Sequence, residues 1–224
     1  MSEMTDTFSA DGAKVFRDAI KACLPILENA LAHLPADEAG TRIHGIGALK
    51  PLLATDGCIG TVAATVLGPS AKPVRAILFN KSAGANWGLG WHQDRTICVK
   101  ERREVEGFGP WTIKRGMNHV APPADLLAQM VTLRVHLDDV PETNAPLLIA
   151  LGSHLIGRVP VEKVSEAVES HSILTCLAKA GDAWLYSTPI LHASDASTTP
   201  ASRRVLQVDY AAFDLPGELE WLGI

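Results

Sequence analysis

Two periodicities divide the chain. Over residues 11–34, apolar side chains recur at Val15, Phe16, Ile20, Leu24, Leu27, Leu31 and Leu34, close to the 3.6-residue repeat of an amphipathic helix. Asp11 is placed to cap that helix and Pro25 to kink or split it. A second helix is expected over residues 56–67, stopped by Gly68 and Pro69. Beyond residue 70 the repeat shortens to that of strands, expected at 73–81, 131–138, 146–151, 172–178, 182–187 and 203–211. In 131–138 the alternation puts Val131, Leu133, Val135 and Leu137 on one face and Thr132, Arg134 and His136 on the other. One short amphipathic helix, residues 161–169, interrupts the strands.

Helices followed by short antiparallel-looking strands predict a mainly β fold with flanking helices, a sandwich or barrel. No repeat, low-complexity tract or linker divides the chain, so one domain, 1–224, is expected, with a helical part over 1–70. The 224-residue length suits that. A net charge of −5 argues against a nucleic-acid surface. No secretory signal is visible at the N-terminus and no apolar run approaches the ~20 residues that span a bilayer. A cytoplasmic location is therefore expected, with Cys23, Cys58, Cys98 and Cys176 as reduced, buried thiols, since no CxxC pair or disulfide framework is apparent.

The chemistry begins at "GWHQDRT", residues 90–96. On a strand His92 and Asp94 share a face and could offer a nitrogen and an oxygen to one metal ion, or be two polar residues on a wet sheet. His192, after "GDAWLYSTPIL" with Pro189 marking a strand edge, fits a third ligand. His33 and His171 read as surface residues and His154 as part of a turn. Two histidines and a carboxylate form the facial set of non-haem Fe(II) oxygenases, which leaves positions open for co-substrate and oxygen. A 2-oxo acid co-substrate would need a cation, and Arg203 lies eleven residues past His192. Arg203 and Arg204 point opposite ways on a strand, so only one can face the core; a surface pair is the competing reading. Residues 100–123, long and rich in charge, Gly and Pro, read either as a surface excursion or as a lid, with Trp111, Trp87 and Trp91 as contacts to substrate or as core. Lys100, Arg102, Arg103, Lys114 and Arg115 make it basic, a hint of an anionic small-molecule substrate.

Four stretches, "RAILFNKSAGANWGLGWHQDRT", "MVTLRVHLDDVPETNAPLLIALGSH", "GDAWLYSTPILHAS" and "RRVLQVDYA", resemble the phytanoyl-CoA dioxygenase family of Fe(II)- and 2-oxoglutarate-dependent oxygenases, over roughly residues 73–213. The resemblance implies a double-stranded β-helix (jelly roll) with His92, Asp94 and His192 as iron ligands. It implies that Arg203 rather than Arg204 holds the far carboxylate of 2-oxoglutarate, with Ile77, Lys81 and Arg134 lining the same pocket. Molecular oxygen would be the oxidant and hydroxylation the favoured outcome, because Asp94 stands where related halogenases carry a small residue. One departure is "NAPL", with Ala145 where the family usually has glycine. A cupin-type metal-dependent lyase or hydrolase and a non-catalytic binding protein are the rival readings.

Overall fold

The computed structural model describes residues 8–36, 38–82, 84–199 and 201–224. Its largest sheet is antiparallel, in the order β1 (Ala13–Phe16), β11 (Ala183–Ser187), β8 (Val131–His136), β13 (Arg203–Ala211), β3 (Lys72–Lys81), β2 (Gly40–Ile43). A second sheet runs β10 (Ile173–Cys176), β9 (Leu147–Ala150), β12 (His192–Ser194), β4 (Leu89–His92). A third, smaller one runs β5 (Ile97–Val99), β7 (Met117–Val120), β6 (Trp111–Lys114). The fold is mainly β, a jelly roll with the first two sheets enclosing a cavity and helices covering the outside.

Alternation explains why both faces of the large sheet are buried. Leu78 of β3, Leu133 and Val135 of β8, and Leu206 and Val208 of β13 point outward. There they pack under α1 (Leu24–Leu31), α2 (Lys50–Leu53) and α3 (Gly60–Leu67) through Leu27, Leu31, Leu53 and Ala63. The other face of the same strands carries Ile77, Arg134, Arg203 and Gln207 into the interior. The face of 131–138 expected to be polar is therefore also inside. Two further helices are α4 (Ala124–Leu127) and α5 (Val164–Glu169), the latter within the expected 161–169.

Three expectations need correction. Residues 11–34 are not one helix: helix ends at 11, Gly12 takes a φ of +73°, and Ala13–Phe16 form β1 against β11. Asp11 ends a short helical turn rather than starting a helix, and Pro25 sits in the first turn of α1, where its missing N–H is harmless. Residues 100–123 are not a long loop either. They hold the β6–β7 hairpin, closed by Arg115 and Gly116 at φ +52° and +76°, the two left-handed residues of a tight hairpin turn. Finally, Cys23 and Cys58 form a disulfide with Cα atoms 6.6 Å apart, tying the start of α1 to the turn before α3. Cys98 and Cys176 are free and buried, as expected. Among the described residues no helix is long and apolar enough to cross a membrane.

Candidate functional site

Antiparallel pairing of β4 with β12 sets His92 directly opposite His192. Their rings lie 4.3 Å apart between centroids. Asp94 follows two residues past the end of β4, and one potential ligand atom from each of the three lies within 4.8 Å of the others. The intervening Gln93 points the other way and anchors the turn. Its side-chain amide donates to the carbonyls of Gly157 and Pro189 at 2.8 Å each, and its oxygen accepts from the Val159 N–H at 2.9 Å.

The imidazoles are held in a definite orientation. Nδ1 of His92 lies 2.8 Å from the Gly90 carbonyl, and Nδ1 of His192 lies 2.9 Å from that of Ile190. A carbonyl only accepts, so each Nδ1 is a donor, which leaves Nε2 as the ring atom available to a metal. Burial lowers the His192 pKa to about 4 and so keeps the ring neutral. For Asp94, burial would raise the carboxyl pKa. Arg75 first, then His192, His92 and Arg134 outweigh it, and the group is held below the ordinary carboxylate range. Arg75 lies 3.5 Å from Asp94, and Gln207 donates to the same oxygen at 3.3 Å. Two imidazole nitrogens and one carboxylate, converging on an open cavity, fit a divalent metal such as Fe(II) better than a closed cysteine-rich zinc site.

The cavity holds about 580 Å³ and is lined by His92, Asp94 and His192 together with Ile77, Arg134 and Arg203. Arg203 is 2% exposed, and Arg203 Nη1 donates to the Ala145 carbonyl, while its Nε has no partner. Beside it on β3, Lys81 donates to Ser194 Oγ at 3.2 Å and to the Asp195 carbonyl at 2.8 Å. Arg134 donates to Gln207 at 3.3 Å. Among the described residues none of these three buried cations has a carboxylate partner. Burial and then Arg134 lower the Arg203 pKa to about 9; burial, Arg203 and Arg134 lower that of Lys81 to about 8. Ala145, in place of glycine, keeps a left-handed φ of +52°.

Arg204 points outward, as alternation requires, but it is not idle: it pairs with Asp138 at 2.7 Å and Glu28 at 2.9 Å. The tryptophans separate. Trp87 lines the cavity, whereas Trp111 packs against the cluster that contains Ile97, Val99 and Val120, and Trp91 against the one that contains Val159 and Leu191. His154 packs its ring against Gly12, in a structural position. Sequence reasoning missed Arg75, Gln207 and Asp209, which surround Asp94. Asp209 accepts from Arg75 Nε at 2.5 Å. The signal was present: 203, 207 and 209 share the parity of one strand face.

The structural comparison returns the same fold. EctD from S. alaskensis superposes with a TM-score of 0.66 at 19% identity, covering 94% of this chain and 76% of that one. SnoN, a non-heme alpha ketoglutarate dependent epimerase from nogalamycin biosynthesis, gives 0.64 at 18%, covering 97% and 90%. Iron-bound HygX from Streptomyces hygroscopicus gives 0.64 at 15%, covering 94% and 86%. No curated protein matches by sequence. The family model for phytanoyl-CoA dioxygenase (PhyH) matches residues 57–205, well over half of the chain, including His92, Asp94, His192 and Arg203. The chain belongs to the phytanoyl-CoA dioxygenase family.

Proposed function

We propose that the chain is an Fe(II)- and 2-oxoglutarate-dependent dioxygenase that hydroxylates an unactivated C–H bond of a small molecule, with succinate and CO2 as co-products. The observation that carries this is Arg203, a buried guanidinium without an anion, in the cavity that His92, Asp94 and His192 line. An unpaired buried ion costs several kcal/mol, and a dicarboxylate entering the cavity offsets that cost. Residues 1–224 would act as one catalytic unit, in which the part expected to be helical, 1–70, also supplies β1 and β2 to the sheet of the 73–213 core while its helices brace that sheet from outside.

Nε2 of His92, Nε2 of His192 and a carboxylate oxygen of Asp94 would hold Fe(II). When bound, Fe(II) supplies the oxygen activation that C–H oxidation requires. The chain's own groups set the stage. Arg75 and Gln207 keep Asp94 ionised and aimed. The backbone carbonyls of Gly90 and Ile190 fix both imidazoles. Arg203 holds the distal carboxylate of 2-oxoglutarate by charge-assisted hydrogen bonds. Lys81 and Arg134 add positive potential, and Ile77 forms an apolar wall that excludes water.

Solved structures of this fold include an epimerase, SnoN, and a carbocyclase, SnoK; Asp94, which leaves no vacant ligand position for a halide, sets halogenation aside, and the product distinguishes hydroxylation from the other two. The test is succinate formation from 2-oxoglutarate with Fe(II) and ascorbate under air, with and without candidate substrates. Succinate in stoichiometry with a product heavier by one oxygen supports hydroxylation. Metal binding without any consumption of 2-oxoglutarate overturns the oxygenase in favour of a lyase or hydrolase.

A further inference from the structure

The basic loop expected from sequence dissolves into surface pairs. Lys100 pairs with Glu220 at 2.5 Å, Arg102 with Glu104 at 2.7 Å, Arg103 with Glu101 at 3.1 Å and Arg115 with Glu38 at 3.2 Å. Lys114 is the exception. It turns inward from β6 and lines the cavity, as does Arg42 from β2. Neither has an ion-pair or hydrogen-bond partner among the described residues, and Arg42 Nε is fully buried with no acceptor. The Arg115–Glu38 bridge explains their meeting, because it pins the hairpin tip to the segment that leads into β2.

We infer that Arg42 and Lys114 form a second anion site at the mouth of the cavity, and that the compound oxidised there carries an oxyanion, whether carboxylate, sulfate or phosphate. This rests on the oxygenase assignment for its reaction, though not for its binding. The two cationic poles are distinct. Arg203 pairs with Lys81 across the β3–β13 ladder, whereas Arg42 pairs with Ile77 across β2–β3. Four residues along a strand is roughly 13 Å, too far for one small anion to span both. The Asp94 level lies by the Arg42 end, since Gln207 is opposite Ile77 and bonds Asp94. A molecule anchored at Arg42 is thus held beside the metal-ligand trio, and 2-oxoglutarate reaches the trio from the Arg203 end.

Arg75 does not join this pole, because Asp209 and Asp94 already neutralise it. A basic residue on an edge strand commonly guards against strand pairing, but that role needs the side chain at the free edge, and Arg42 lines the cavity instead. Burial, then Arg42 and Arg75, lower the Lys114 pKa, so these cations already feel one another without an anion between them.

The test uses inorganic sulfate as probe, followed by tryptophan fluorescence through Trp87 at constant ionic strength in chloride, with nickel as a redox-inert metal. Wild type is expected to bind two sulfates alone and one when saturated with 2-oxoglutarate. Phosphate and acetate should displace the remaining one. Arg42→Gln and Lys114→Gln should each weaken that remaining site about tenfold, the scale of a charge-assisted hydrogen bond, while Arg103→Gln, whose side chain pairs with Glu101 away from the cavity, leaves it unchanged. Circular dichroism checks the fold, and Lys114, on an exposed hairpin, provides a variant that does not depend on the core. No sulfate on the 2-oxoglutarate complex, displacement by chloride alone, or indifference to both variants overturns the inference. If 2-oxoglutarate displaces no sulfate and yet Arg42→Gln weakens binding, the second pole stands and the oxygenase assignment falls.

Discussion

The two ends of the β3–β13 ladder treat buried charge in opposite ways. At one end Arg75 lies between Asp209 and Asp94, with its Nη1 also donating to the Thr96 carbonyl at 3.2 Å. At the other end Arg203 and Lys81 face each other with only carbonyls and a hydroxyl for partners. The first arrangement is complete and holds the fold and the Asp94 turn. The second is incomplete without an anion. A buried ion pair resists the loss of either partner, whereas an unpaired buried cation is a binding capacity held open at the expense of stability.

The largest expected effect breaks the closed end. Arg75→Met leaves Asp209 buried and uncompensated and removes a support of Asp94. Breaking a buried pair costs about 3–5 kcal/mol, so the melting temperature should fall on the order of 10 °C. A fall of less than a few degrees would mean that Asp209 takes up a proton cheaply, and that the end is not closed by charge. Next, Asp94→Ala removes a ligand while leaving the Arg75–Asp209 pair in place. Loss of a residue that merely orients a ligand costs 10- to 100-fold, so 2-oxoglutarate turnover should drop by more than about 100-fold with an unchanged circular dichroism spectrum. Near-normal turnover would remove Asp94 from the metal site.

The open end predicts two opposite signs from one residue. A hydrogen bond to a charged group contributes roughly 1.5–3 kcal/mol, so Arg203→Ala should raise the Michaelis constant for 2-oxoglutarate roughly 10- to 150-fold. Arg203→Lys should recover only part, lacking the bidentate contact. Arg203→Met should meanwhile raise the melting temperature of the ligand-free protein, because an unpaired buried charge is removed. A lower melting temperature for Arg203→Met would show the bond to the Ala145 carbonyl to be a net structural contribution.

Much of this was legible because the long inner strands alternate cleanly. Val131–His136 and Arg203–Ala211 are marked by parity alone, and the same parity separates Arg203 from Arg204. The His92, Asp94 and His192 set was legible from spacing and resemblance. Elements of four residues were not. Lys14, Val15 and Phe16 satisfy a helical and a strand repeat equally, and only pairing with β11 decides between them. The β6–β7 hairpin hid because Thr112 and Ile113 are both exposed, which leaves no apolar face to read. The Cys23–Cys58 bridge joins residues 35 apart with no motif, so it follows from how α1 and the segment before α3 pack. Arg42 was invisible for a different reason: its place in the cavity depends on which edge β2 joins.

Arg204 sharpens the comparison from the outer face of the same strand. Its ion pairs with Asp138 and Glu28 fasten α1 to β13, half exposed. Arg204→Ala should change the Michaelis constant for 2-oxoglutarate less than about threefold, as befits a residue outside the cavity. It should lower the melting temperature by about 2–4 °C, the shift expected for roughly 1 kcal/mol in a chain of this size. If it damaged 2-oxoglutarate binding as much as Arg203→Ala does, the face assignment would fail.

The smallest effect concerns the brace behind Arg203. The Ala145 carbonyl accepts from both Arg203 and Ser194, and the residue holds a φ of +52° to present it. For a residue with a Cβ that conformation costs roughly 1–2 kcal/mol, while glycine loses roughly 0.4–1 kcal/mol more chain entropy on folding. The difference favours glycine, so Ala145→Gly should raise the melting temperature by about 1–3 °C and shift the Michaelis constant for 2-oxoglutarate less than threefold. Ala145→Val, with a branched side chain in the left-handed region, should do the reverse: lower the melting temperature and loosen 2-oxoglutarate binding together, as the carbonyl swings away from Arg203. If Ala145→Gly lowered stability instead, the turn would owe its shape to the alanine methyl, which is buried at 3% exposure, and packing rather than backbone conformation would be what positions the open end.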